Sequence, residues 1–118
     1  MIRIHDAALP GSEFQDVDLR DSNFHDVNLE NVSLSATRAY KARFLNVSLE
    51  NGQFEDVDLK NAIFRHVDFE NSSIRHASLA NVSINDCNLE GFSINGYLVT
   101  DLLILATVAR PTVKVEED

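Results

Sequence analysis

The sequence predicts an all-β solenoid, and three observations carry that prediction. From Phe14 to Ile94 every fifth residue is apolar, in the order Phe14, Leu19, Phe24, Leu29, Leu34, Ala39, Phe44, Leu49, Phe54, Leu59, Phe64, Phe69, Ile74, Leu79, Ile84, Leu89 and Ile94. Only Ala39 in this series is small. A helix repeats about every 3.6 residues and a plain strand about every 2, so a period of five fits neither and marks stacked repeats. A second series runs two residues ahead and is mostly small or β-branched, as in Val17, Val27, Val32, Ala42, Val47, Gly52 and Val57. Each unit therefore offers one small and one large inward position. The residue between them is usually Asp, Asn or Ser, as in Asp18, Asn23, Asn28, Asp58, Asp68 and Asn88. Short polar side chains favour turns because they hydrogen-bond nearby backbone.

The stretch Val17-Asp18-Leu19-Arg20-Asp21 and its echoes Val27-Asn28-Leu29-Glu30-Asn31 and Val57-Asp58-Leu59-Lys60-Asn61 resemble the pentapeptide repeat, whose consensus is A(D/N)LXX. The resemblance covers residues 12–96, about 17 units. It implies a right-handed quadrilateral β-helix in which each unit makes one side and four units make one coil, giving about four coils here. Strands stacked coil on coil lie about 4.8 Å apart, so such a rod is roughly 20 Å long. No coil buries its own core, so stability comes from neighbours and the ends need covering.

Each end of the chain departs from the repeat. Residues 1–11 carry Ile2 and Ile4 in alternation and then the turn Pro10-Gly11, which predicts a short N-terminal capping strand or coil. Gly96 closes the repeats, and Tyr97-Leu98-Val99 is expected to continue as a strand. Thr100 or Asp101 is expected to cap a helix running to about Arg110, with Pro111 as its stop. The phrase from Ile94 to Leu103 resembles the tail of many bacterial pentapeptide-repeat proteins. The helix is apolar nearly all round, too short to span a membrane and more apolar than a one-sided cap requires. One face is expected to seal the last coil. The other is expected to meet a second subunit, making Leu102, Leu103, Leu105 and Ala106 the candidate homodimer interface. Residues 111–118 form an acidic tail.

Composition narrows the function classes. A chain of 118 residues is read as a single domain, 1–118. Its net charge of −9 disfavours direct contact with nucleic acid or an acidic membrane. With no basic, apolar leader and no run of 18 apolar residues, a soluble cytoplasmic protein is expected. The single cysteine, Cys87, falls at an inward small position and reads as filler rather than nucleophile or ligand.

Four five-residue sides per coil bring residues 20 apart onto one face. Glu30, Glu50, Glu70 and Glu90 then form one column, with Asp68 on the same face and no Lys or Arg. These five are the candidate partner-binding residues. Two readings are open: a docking strip for a basic partner, or a solvated face that aids solubility. Repulsion between exposed charges about 5 Å apart is only about 0.8 kcal/mol in bulk water, which the fold can carry without any functional return. Asn31, Asn51 and Asn71 form the next column, and side-chain hydrogen bonding up the ladder would explain it. The opposite face mixes Arg20, Arg38, Lys41 and Lys60 with Asp18, Asp21 and Asp58. Arg38, Tyr40, Lys41 and Arg43 surround Ala39, where either Tyr40 folds over the gap or a bulge presents it outward.

Catalytic constellations are not evident. His5, His25, His66 and His76 show no metal-ligand spacing, no nucleophile sits beside a base, and Gly11, Gly52, Gly91 and Gly96 form no phosphate loop. The expectation is a non-enzyme with no cofactor and no metal. Its primary reading is a non-catalytic protein-interaction or scaffold module with an acidic β-helix surface and an unknown protein partner. The alternative rests on the resemblance: some pentapeptide-repeat proteins mimic duplex DNA, bind DNA gyrase or topoisomerase IV and protect against quinolones.

Overall fold

A computed structural model describes residues 1–108. The chain winds as a four-sided β-solenoid. One parallel sheet stacks β1 (Arg3–Ala8), β3 (Asn23–Asn28), β5 (Arg43–Ser48), β7 (Ile63–Asp68) and β9 (Ser83–Asn85). The other stacks β2 (Glu13–Gln15), β4 (Ser33–Arg38), β6 (Gln53–Asp58), β8 (Ser73–Arg75) and β10 (Ser93–Ile94), with β11 (Tyr97–Leu98) at its edge. Register partners are 20 residues apart throughout the parallel stack, as in Phe24↔Phe44 and Leu34↔Phe54.

The period of five arises at the corners. Every fifth residue takes a left-handed backbone, for example Asp26 at φ 56°, Asn31 at 60° and Asn46 at 55°. The corners are of two alternating kinds. In one kind a β-turn closes, with the Val32 N–H donating to the Leu29 carbonyl at 3.1 Å and the Ala62 N–H to Leu59 at 2.9 Å. Their left-handed third residues make these type II turns, which favour Asn or Gly at that position. The Asn31, Asn51 and Asn71 column therefore answers a backbone requirement rather than a side-chain ladder. The other kind lies open within a strand: β3 bends at Asp26 and covers two sides of the square. The Asp and Asn residues between the inward positions brace the closed turns. Asn28 Oδ1 accepts the Glu30 N–H at 2.9 Å, and Asp68 Oδ1 accepts the Glu70 N–H at 2.9 Å.

Large side chains meet inside. Phe24, Phe44 and Phe64 stack with centroids 4.8 Å apart at each step, which matches the rise between coils. All three are buried, as are Leu29, Leu49 and Phe69 on the neighbouring side. Val27, Val47 and Val67 fill the smaller inward positions. Burying each large side chain contributes about 1.5–3 kcal/mol, and none could be buried by one coil alone.

The N-terminal segment belongs to the same winding. β1 pairs in parallel with β3, and Ile4 and Ala7 face Phe24 and Val27. Ile4 and Leu9 thus extend the apolar series backward, and the first sheet stacks five strands, so the solenoid has about five turns. At Ala39 the winding is regular, and the outward bulge does not form. The Ala39 N–H donates to the Asp58 carbonyl at 2.7 Å and the Lys41 N–H to the Lys60 carbonyl at 2.8 Å. Tyr40 engages the preceding coil, its hydroxyl accepting from Arg20 at 3.0 Å.

The C-terminal end differs from expectation. Asn95 at φ 53° and Gly96 at 86° make a two-residue hairpin, which turns β11 back antiparallel on β10. α1 (Val99–Val108) follows, with Asp101 in its first turn. The Val99 N–H donates to the Phe92 carbonyl at 2.9 Å, and Val99 packs on the core. Beyond Val99 every described helix residue is exposed, so no helix face seals the last coil. The physical reason is the hairpin: β11, not the helix, occupies the edge of β10. Among the described residues no helix is long and apolar enough to cross a membrane. The expected helix end at Arg110, the Pro111 stop and the tail 111–118 lie outside the described residues.

Candidate interaction surface

The glutamate column forms as the 20-residue period requires. The Asn31 N–H donates to the Glu50 carbonyl and the Asn51 N–H to the Glu70 carbonyl, both at 2.8 Å, and the Asn71 N–H to the Glu90 carbonyl at 2.9 Å. Each backbone bond locks one glutamate position above the next. Glu30, Glu50 and Glu70 are half-buried, while Glu90 at the end of the stack is exposed. Asp68 joins them: carboxylate oxygens of Glu50, Asp68 and Glu70 lie within 4.8 Å of one another. Partial burial pushes the Glu50 carboxyl above its ordinary value, and Glu30, Glu70 and Asp68 push it further. No ion pair among the described residues reaches Glu30, Glu50, Glu70 or Glu90.

The face carrying the cations is arranged differently. Arg20 clamps Asp18, with its Nη2 2.6 Å from Oδ2 and its Nε donating to Oδ1 at 2.8 Å. That contact holds the Asp18 carboxyl below its ordinary range. Lys60 lies 3.8 Å from Asp58. These charges are already matched within the chain, whereas those of the glutamate column are not.

The helix residues singled out from the sequence are exposed. Leu102 is 42% exposed, Leu103 53% and Leu105 62%, and Ile104 and Val108 add to the same apolar surface at 62% and 74%. Ala106 is exposed as well. Cys87 is half-buried and packs against the core; burial raises its thiol above the ordinary value, and its sulfur lies 3.1 Å from the Asn85 carbonyl. That environment disfavours the thiolate needed of a nucleophile.

One cluster was missed by sequence reasoning. His5 and His25 are register partners on β1 and β3, and their rings stack at 5.0 Å. Asp26 lies beside both, and the three ligand atoms fall within 4.8 Å of one another. The expectation that no histidine has metal-ligand spacing therefore fails at this end. The available signal was the 20-residue period itself, which had to be carried back past Ser12 to reach His5.

Known proteins share this construction. The family described as "Pentapeptide repeat region" matches residues 22–98, and that described as "Pentapeptide repeats (8 copies)" matches residues 3–35. No curated protein sequence matches the chain. A pentapeptide repeat protein of the Arabidopsis thaliana thylakoid lumen is similar in structure at TM-score 0.62 and 19% identity, covering 85% of this chain and 74% of that one. The pentapeptide repeat protein Rfr23 from the cyanobacterium Cyanothece 51142 is similar at TM-score 0.53 and 19% identity, covering 80% and 88%. At these identities the likeness concerns the fold alone. QnrB1, a plasmid-mediated fluoroquinolone resistance protein, aligns over 96% of this chain and 99% of its own trypsin-treated form, but with 7% identity and a TM-score of 0.34 it carries no argument about function. The matched repeats, the left-handed corner at every fifth residue and the 20-residue stacking together place this chain in the pentapeptide repeat family.

Proposed function

We propose that the chain is a non-catalytic protein-interaction module whose glutamate column docks a basic protein surface. One observation carries this reading: Glu30, Glu50 and Glu70 are stacked and half-buried, with Asp68 beside them and no ion pair to them among the described residues, while Asp18 and Asp58 on the opposite face are paired with Arg20 and Lys60. Burial is the main cause of the raised Glu50 carboxyl, and a basic partner would relieve the repulsion from Glu30, Glu70 and Asp68 that adds to it. The rigid ladder holds these charges at fixed spacing, which favours an extended, electrostatically steered contact.

A pull-down with the full chain tests this. Partners held by the wild type and lost by Glu50→Lys/Glu70→Lys, but kept by Glu13→Lys/Glu55→Lys, support the column. The second double variant carries the same change in net charge on another side. Equal retention by all three proteins refutes the docking strip.

We further propose that α1 joins two copies of the chain. A helix this apolar and this exposed is the kind of surface that subunit contacts cover. Sedimentation should give a dimer for the wild type and a monomer for Leu103→Asp/Leu105→Asp. A wild-type monomer, or an unchanged dimer in the variant, excludes this interface.

The gyrase-binding alternative draws on the same acidic column, and its magnitudes are weaker. Residues 12–96 hold 14 acids and 7 bases, a net charge of −7. Spread over roughly 20 Å of stack, that is about one net charge per 3 Å, against about one per 1.7 Å in duplex DNA. Dimerisation would extend the surface without raising that density. A supercoiling assay with purified gyrase decides it: no inhibition at micromolar protein removes the alternative.

A further inference from the structure

We propose that His5, His25 and Asp26 form a binding site for a divalent transition-metal ion, with His5 Nε2, His25 Nε2 and an Asp26 carboxylate oxygen as its protein ligands and water completing the coordination. Asp26 Oδ2 lies 3.9 Å from His5 Nε2 and 3.7 Å from His25 Nε2. Two metal–ligand bonds of about 2.0–2.1 Å span about 3.4 Å at a tetrahedral angle. The observed separations exceed that by less than 1 Å. Both imidazoles are more than half exposed, so rotation about their side-chain bonds closes the difference without moving the ladder.

Two outer contacts prepare the ligands. Asp6 Oδ2 lies 3.3 Å from His5 Nδ1. A carboxylate there favours the tautomer with its proton on Nδ1, which leaves the Nε2 lone pair facing Asp26. Asn46 Nδ2 donates to Asp26 Oδ1, which orients the carboxylate, and Oδ2 is the oxygen that faces both imidazoles. Partners of this kind, behind both a histidine and a carboxylate, are what metal ligands need to hold their orientation. The fold supplies the rest: the histidines occupy equivalent positions on successive coils, and Asp26 follows His25 at a left-handed corner.

Two imidazoles and one carboxylate suit zinc, nickel or copper, whereas magnesium and calcium prefer oxygen ligands. Calorimetric titration of zinc chloride into the full chain is expected to show one ion per chain. His5→Gln and His25→Gln should each weaken binding tenfold or more, and His76→Gln should leave it unchanged. Magnesium chloride should give no binding at the same concentrations. Melts without metal check that the variants stay folded. Independently of any variant, cobalt chloride added to the intact chain should broaden amide NMR signals first around His5, His25 and Asp26. Zinc affinity equal in wild type, His5→Gln and His25→Gln overturns the assignment. So does broadening centred on His66, His76 or the Glu50 column, or an absence of zinc binding up to millimolar concentration.

Discussion

Replacing Ala36 with glycine is expected to stabilise the solenoid, although glycine normally weakens a strand. Ala36 sits at an open corner with φ 46° and is exposed. Comparable corners carry Asp16, Asp26, Asn46 and Asp56, types that tolerate left-handed backbone by local hydrogen bonding. Alanine has a Cβ and no such group, so the conformation costs it roughly 1–2 kcal/mol. Glycine removes that cost but loses about 0.5–1 kcal/mol in backbone entropy on folding. The net gain is about 0.5–1 kcal/mol, and no packing is lost because the methyl faces solvent. With an unfolding entropy near 2.1 cal/mol/K per residue, that gain raises the melting temperature by about 2–4 °C for a chain of this length. Ala62→Gly is the control: Ala62 is buried and its backbone is not left-handed. It should lose about 1–2 kcal/mol from the missing methyl and the added entropy. Thermal and urea melts followed by circular dichroism read both variants. If Ala36→Gly falls in stability alongside Ala62→Gly, the left-handed corner is not the source of strain and the argument fails.

Three other outcomes are expected. Glu50→Gln should be more stable than wild type at pH 7, because the folded state raises the Glu50 carboxyl and so opposes its ionisation. As pH falls through the raised folded value toward the ordinary 4.5, the wild type takes up the proton and the difference should close; a gap that widens on acidification in paired melts contradicts the assigned cause. Phe44→Ala, at the centre of the Phe24–Phe44–Phe64 stack, should cost about 3–5 kcal/mol in urea titration, and a loss under 1 kcal/mol would mean that the stack is not the core. Ala39→Leu restores the large residue between Leu19 and Leu59 and should melt at or above the wild-type temperature; a fall of several degrees would show that neighbouring side chains have closed over the alanine.

The glutamate column was legible because a strict period converts sequence distance into height on one face. Once residues 20 apart are stacked, Glu30, Glu50 and Glu70 must align. The histidine pair obeys the same rule but was hidden by its place. Residues 1–11 put Arg3 and Ala8 where later units carry Asp, Asn or Ser, which hides the first coil from a reading by residue pattern even though the repeat family matches from residue 3. The Asn column was visible, yet its cause was not. Asn31, Asn51 and Asn71 share a left-handed φ at closed turns, and composition does not distinguish that from a side-chain ladder.

The amino-acid sequence by itself determined the winding, its inward residues and the acidic column, because each follows from one short repeat that every coil satisfies locally. The tertiary structure decided what happens at the two ends of the winding. At one end a parallel ladder drew His5 over His25 and beside Asp26. At the other a two-residue hairpin turned β11 onto β10 and left α1 uncovered. The hairpin depends on how the last strand meets its neighbour, which the five-residue pattern does not record.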